Sequence, residues 1–132
     1  MPVRKFEEFI SDRLGATAVL FALLAIPLLL VMGLSVDYAR SEQFRLANQA
    51  ALDNAVISAL SKSGDSASVE DVQSFFQANG GTGTITNVGK TQTEAALSMT
   101  AAATFKMPLG LGRLAHAATW DMNVAAEASA PR

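Results

Sequence analysis

LGATAVLFALLAIPLLLVMGLSV, residues 14–36, is a run of 23 residues without a charged side chain. A helix of this length is ~34 Å long, slightly more than the ~30 Å hydrocarbon core of a bilayer. Charged residues stand close to both ends, Asp12 and Arg13 before the run and Asp37 and Arg40 after it. A charge at the bilayer centre costs ~2.5–3.5 kcal/mol on insertion scales, so this pattern predicts a transmembrane helix over 14–36.

Two other kinds of segment can produce an apolar run near an N-terminus. A core helix that is apolar on every side must be surrounded by protein, and the ~90 remaining residues are too few to do this. A cleaved signal peptide has a shorter apolar region of ~7–15 residues and a small-x-small cleavage site, which Gly33-Leu34-Ser35 fits poorly. A retained span is therefore favoured over both.

The flanking charges bear on orientation. Arg4, Lys5 and Arg13 precede the span, whereas Arg40 and Arg45 follow it. This slight positive-inside bias, together with the short N-terminal tail, favours a cytoplasmic N-terminus. The prediction is a single-pass membrane protein, with a cytoplasmic tail over 1–13 and a small extracytoplasmic domain over 37–132.

The chain beyond the span continues as a helix. Residues 37–61, DYARSEQFRLANQAALDNAVISALS, contain neither Gly nor Pro and are rich in good helix formers. Nothing separates them from the span, so one continuous helix of about 45 residues is predicted. Ala47, Ala51, Ala55 and Ala59 recur every four residues and allow close approach of another element. That element is either the protein's own domain, which is favoured, or a partner helix.

The remaining residues predict a short helix and three strands. Ser68 begins a capping-box pattern for a helix over 69–78, after a turn-rich segment at 61–66. Period-two alternation favours strands at 82–90, 94–107 and 119–129. One face of the second strand carries Leu97, Met99, Ala101, Ala103, Phe105 and Met107. The expected fold class is α+β, an antiparallel three-stranded meander covered on one side by the long helix. Phe105 and Trp120 are expected in its core.

Composition offers little support for catalysis or for a bound cofactor. The chain has no cysteine, a net charge of -2 and one histidine, His116, in a predicted loop. No nucleophile–base constellation, phosphate loop or metal-ligand spacing is present. The protein is therefore expected not to be an enzyme, with no cofactor, no metal, no nucleic-acid partner and no small-molecule substrate.

Residues 9–53, FISDRLGATAVLFALLAIPLLLVMGLSVDYARSEQFRLANQAALD, closely resemble the N-terminal segment of TadG-like and TadE-like proteins of the tight-adherence (Flp) pilus system. The family layout has a glycine opening the span, a proline within it, and Gly-x-x-x-Asp-Tyr at its end. The matching motif residues, for which a structural role is expected, are Gly15, Pro27, Gly33, Asp37, Tyr38 and Asp53. The strand, loop and strand over 104–130 also resemble the end of these ectodomains.

The resemblance implies a membrane-anchored accessory or minor-pilin-like component of pilus assembly. It also implies the bacterial inner membrane as the location, with the domain over 37–132 in the periplasm. The expected partners are the lipid bilayer and other pilus-assembly membrane proteins. Two departures from related proteins limit what carries over. The chain is too short for the von Willebrand factor A-like domain of longer TadG-like members, and Leu20 stands where a prepilin-peptidase site has glutamate. The alternative is a membrane-anchored extracytoplasmic binding or envelope-structural module unrelated to pili.

Overall fold

The fold consists of one very long helix, one short helix and a small sheet. The computed structural model describes residues 13–110 and 119–131. In chain order these form helix α1 (Arg13–Ser63), a 3-10 turn (Gly64–Ser66), helix α2 (Val69–Ala78) and strands β1 (Thr84–Gln92), β2 (Ala96–Pro108) and β3 (Thr119–Pro131). The strands form one antiparallel sheet in the order β1-β2-β3. The predicted α+β fold with a three-stranded meander is therefore confirmed.

Helix α1 runs without interruption from the apolar segment into the folded domain. It has 51 residues, so its length is ~77 Å. Pro27 lies inside it without ending it, as is common where other backbone groups of an apolar helix remain paired. The segment after Gly33 contains no glycine or proline until Gly64, which has a positive φ of 50° just beyond the helix end. The tail before residue 13 lies outside the described residues.

The C-terminal half of α1 packs on the sheet. Ala51, Ala55 and Ala59 are at most 1% exposed, and Leu52 and Val56 beside them are fully buried. Small side chains let the helix backbone approach the strands closely, while each buried Leu or Val contributes ~1.5–3 kcal/mol. The alanine repeat therefore serves the protein's own core at these three positions.

The opposing layer comes from alternate residues of the strands. All six apolar residues on one face of β2 are buried, and Val124 and Ala126 of β3 join the same core. The rings of Phe105 and Phe44 meet edge to face, with centroids 5.6 Å apart.

The prediction that Trp120 lies in the core is wrong, since this side chain is 47% exposed. It pairs with Met107 near the start of β3, at the margin of the core rather than at its centre.

Helix α2 closes one end of this core and has defined signals at both termini. The Ser68 hydroxyl accepts from the amide of Asp71 at 3.1 Å, and the Asp71 carboxylate accepts from the amide of Ser68 at 2.9 Å. At the other end the amides of Gly81 and Gly80 donate back to Phe76 and Gln77 in a Schellman arrangement. A β-carbon at Gly81 would overlap the Phe76 ring, so only glycine fits there.

Side chains of the helices also hold the two outer strands. Gln49 of α1 donates to the carbonyl of Ala125 in β3 at 2.7 Å. Gln73 of α2 donates to the carbonyl of Gly83 and accepts from the amide of Ile85 in β1. Free strand edges invite pairing with other chains, and these glutamines occupy edge positions on both sides of the sheet.

Strand β1 begins two residues later than the alternation predicts. The Thr82 amide donates to the side-chain oxygen of Asn48 at 2.8 Å instead of entering the ladder. Asn48 is 2% exposed and anchors this connection to the C-terminal half of α1. A single buried amide on the helix therefore fixes where the first strand starts.

Enlarging an alanine of α1 should destabilise the domain only where that alanine is buried. Ala55→Leu inserts extra carbon atoms into a filled core and should cost ~1–3 kcal/mol of unfolding free energy. Ala50→Leu, on the exposed side of the same helix, should change it by less than ~0.5 kcal/mol. Urea unfolding in detergent micelles, followed by the fluorescence of the single tryptophan, measures both. Equal effects would contradict the packing described.

Candidate interaction surface on the long helix

The N-terminal half of α1 exposes apolar side chains all round. The most apolar window of this helix contains no buried residue. Thirteen large apolar residues of the segment are 45–76% exposed: Val19, Leu20, Phe21, Leu23, Leu24, Ile26, Leu28, Leu29, Leu30, Val31, Met32, Leu34 and Val36. A contiguous apolar surface of this size is not stable in water. Within the described residues, α1 is the one helix long and apolar enough to cross a membrane.

A polar side chain near the end of this half is paired within the helix. The Ser35 hydroxyl donates to the carbonyl of Val31 at 2.8 Å. Backbone groups of a helix are paired within the helix itself, as a lipid environment requires. Further along α1, the Ser41 hydroxyl makes the corresponding bond to the carbonyl of Tyr38 at 2.7 Å. The surface presented to the surroundings by the apolar half is therefore almost entirely hydrocarbon.

Asp37 stands at the junction between this half and the folded domain. Its carboxylate is the first charged group after the apolar run, yet the residue is only 6% exposed. The amide of Gly110, which follows β2, donates to its Oδ1 at 3.2 Å. A β-carbon at Gly110 would stand 3.0 Å from that oxygen, so the close approach favours glycine. The bond ties the end of β2 to the end of the apolar segment.

The other motif residues are distributed along α1 and do not form a pocket. Gly15 lies near the start of the helix and Pro27 and Gly33 within the apolar half. Tyr38 is 60% exposed beside Asp37. Asp53 lies at the surface of the domain, where Gln49 donates to it at 3.0 Å. Since Gly15 and Asp53 are 38 positions apart, the helix separates them by ~57 Å.

Within residues 13–110 and 119–131, no group of three or more metal-binding side chains is found. His116 lies outside the described residues. The structure adds contact residues that the motifs did not reveal, namely Asn48, Gln49, Gln73 and Gly110. Their sequence signals are weak, because an isolated amide on a helix or a Gly-x-Gly in a connection indicates only a surface or a turn.

Comparison with protein families identifies the long helix. Residues 15–67 match the Tad family model, described as Flp pilus-assembly TadE/G-like. This segment is thus similar to TadE/G-like proteins of Flp pilus assembly. The predicted resemblance is thereby confirmed for this part of the chain. Searches of curated proteins and of solved structures give no significant match.

The boundaries of the TadE/G-like match lie close to the boundaries of structural elements. The match starts at Gly15, in the first turn of α1, and ends at Ala67, directly before the capping residue of α2. It thus contains the apolar half, the Asp37 junction and the half of α1 that packs on the sheet. The exposed apolar surface of the helix indicates a membrane anchor, and the family that it matches is one of pilus assembly. Helix α2 and the sheet lie beyond the matched residues.

Removing the Asp37 carboxylate should loosen the contact with the chain after β2. A hydrogen bond to a charged acceptor is worth ~1.5–3 kcal/mol, so Asp37→Ala should speed hydrogen exchange of the Gly110 amide about tenfold or more. Asp53→Ala removes an exposed carboxylate from the same helix and should leave that amide unchanged. Exchange measured by NMR in micelles would contradict the contact if both variants matched the unaltered protein.

Proposed function

We propose that this protein is a membrane-anchored accessory or minor-pilin-like component of tight-adherence pilus assembly, which acts through helix and domain contacts rather than catalysis. The observation that carries the proposal is the TadE/G-like match over 15–67, which contains nearly all of one continuous helix and the turn after it. The exposed hydrocarbon of that helix supports anchoring in lipid. No cofactor, small-molecule substrate or nucleic acid enters this role. The partners are the bilayer and other pilus-assembly membrane proteins.

The proposed location is the bacterial inner membrane, with the N-terminus cytoplasmic and the domain periplasmic. The support is the excess of basic residues before the span and the compact core after it. Protease added to intact spheroplasts should remove a C-terminal epitope tag from the membrane fraction. A membrane-bound tag that resists digestion until the cells are lysed would contradict this orientation and place the domain in the cytoplasm.

A second exposed surface of α1 supports contact with partner helices. Leu46 is 61% exposed and Ile57 is 56% exposed, although both lie in the half that packs on the sheet. They are eleven positions apart, with Ala50 and Asp53 between them, which places all four on one side of an α-helix. We refer to these four residues as the outward stripe. The outward stripe extends a binding surface from the span into the domain.

Pull-down from membranes of a strain that makes the pilus tests this role. Replacing 14–36 with an unrelated apolar helix of equal length, or changing Leu46 and Ile57 to Ser, should reduce recovery of pilus-assembly membrane proteins about tenfold, the equivalent of ~1.4 kcal/mol. Val69→Ser, which alters an exposed apolar residue of α2, should not reduce recovery.

Two outcomes would oppose the proposal. Equal recovery with all variants would place the contacts outside the TadE/G-like helix. Partner binding by a chain with the unrelated span, without any pilus component among the partners, would favour an anchored binding or envelope-structural module instead. The family match ends before α2 and the sheet, so that module would correspond to the unmatched part of the chain.

A further inference from the structure

The end of the domain that carries Gly110 lies at the level where α1 leaves the apolar segment. Val36 is the last residue of the uncharged run, and Asp37 directly follows it. The hydrogen bond from the Gly110 amide to Asp37 holds the chain after β2 at this height. A domain joined to the span only by a flexible linker could lie far from the membrane surface. The hydrogen bond between Gly110 and Asp37 instead keeps this end of the domain beside the end of the apolar segment.

The strand register gives the height of the neighbouring residues. Strands rise ~3.3 Å per residue, so Pro108 lies within ~7 Å of Gly110 along the chain and Leu109 is closer still. Thr119 pairs with Pro108 and Trp120 pairs with Met107, which places Trp120 ~10 Å from the Gly110 level. The headgroup layer of a bilayer is about 5–8 Å thick on each side. With Asp37 at the end of the hydrocarbon core and the strands near the membrane normal, Leu109 and Pro108 would lie within that layer and Trp120 at its outer margin.

The side chains at this end have the chemistry of a membrane interface. Trp120 is 47% and Tyr38 60% exposed, and these are the chain's one tryptophan and one tyrosine. Both types concentrate where an apolar ring meets polar headgroups. Pro108 is exposed as well, and it lines a mostly apolar groove with Phe44 and Met107.

Charge at this end also suits lipid. Arg40 is exposed one turn beyond Asp37 and lines the same groove. Nearby charges form pairs, Glu42 with Arg45 at 3.2 Å and Lys106 with Asp121 at 3.9 Å. The Asp37 carboxylate is buried against Gly110. Among the described residues, Arg40 is thus a cation near this end that can bind a lipid phosphate without giving up an ion pair.

We propose that Tyr38, Arg40, Pro108, Leu109 and Trp120 form a lipid-contacting tip, which sits in the headgroup layer of the bilayer that α1 crosses. The tip adds a second attachment beside the span and keeps the sheet upright on the membrane surface. The occupant is the surrounding phospholipid, because the tip continues directly from the lipid-facing surface of α1. This inference rests on the proposed membrane anchoring, but it does not depend on which side of the membrane the domain occupies.

The single tryptophan permits a test with the unaltered full-length chain. The protein is reconstituted into vesicles of phosphatidylcholine and phosphatidylglycerol that carry a nitroxide quencher either on the headgroup or deep in the acyl chain. We expect the headgroup label to lower Trp120 fluorescence by about twofold or more, and the deep label to have little effect. A control chain, Trp120→Phe with Glu94→Trp, places the indole at the exposed β1–β2 turn, ~40 Å away along β2. It should be quenched by neither label.

A second variant tests the height assignment. Trp120→Phe with Leu109→Trp moves the indole to the Gly110 level and should increase quenching by the headgroup label. Flotation of the vesicles tests the membrane anchor separately from the lipid-contacting tip. A protein that does not float with the vesicles has no membrane anchor. A protein that floats but whose Trp120 is no more quenched than the Glu94→Trp control would overturn the tip while leaving the anchor intact. Blue-shifted Trp120 emission without quenching would mean that protein covers the tip, and would overturn it equally.

Discussion

The structure depends on the unbroken backbone hydrogen bonding of α1 across the junction between Val36 and Asp37. Before this junction the helix exposes apolar side chains on all sides. After it, one face of the helix is buried and forms one layer of a small core. A flexible residue here would separate two independent bodies. The sequence instead places Ser, Val, Asp, Tyr, Ala and Arg at the junction, and none of these ends a helix. The orientation of the domain is therefore set by the orientation of the span.

Asp37 adds a second constraint at the same point. A charged residue directly after a transmembrane run would ordinarily be solvated, yet this one is buried and accepts a hydrogen bond from Gly110. The bond closes the end of the domain nearest the apolar segment, while Asn48, in the C-terminal half of α1, fixes the start of β1. Along the helix, polar side chains thus determine where the connections of the sheet begin and end. Small alanines between them let the strands approach.

Much of this architecture follows from local patterns in the sequence. The absence of breakers over 34–63 determines the continuous helix, and strict alternation from Leu97 to Met107 determines which face of β2 is buried. The Ser68 capping pattern also marks the start of α2. These features depend on residues close in sequence, so pattern reasoning captures them.

Features that depend on residues distant in sequence cannot be predicted from local patterns. Nothing near Thr82 indicates that Asn48, 34 positions earlier, would take its amide and delay β1. Alternation in β3 predicts a buried Trp120, but the side chain is exposed. Alternation shows which face of a strand a residue lies on, but not how far along the strand that face is covered by the helix. The motif identifies Asp37, whereas nothing in the sequence around Gly110, 73 positions away, marks it as the partner of that carboxylate. Tertiary pairing of this kind leaves no local signal.

A distance measurement across the junction tests the central claim most directly. The natural chain has no cysteine, so Leu34→Cys and Ala50→Cys give two unique sites for spin labels on exposed positions of α1. In full-length protein reconstituted in lipid nanodiscs, pulsed electron paramagnetic resonance should give one narrow distance distribution centred at ~25–30 Å. Sixteen helical residues rise ~24 Å, and the two labels lie on opposite sides of the helix, which adds to their separation. A broad distribution, or a second population at a different distance, would show that the helix breaks at the membrane surface and that the domain moves independently of its anchor.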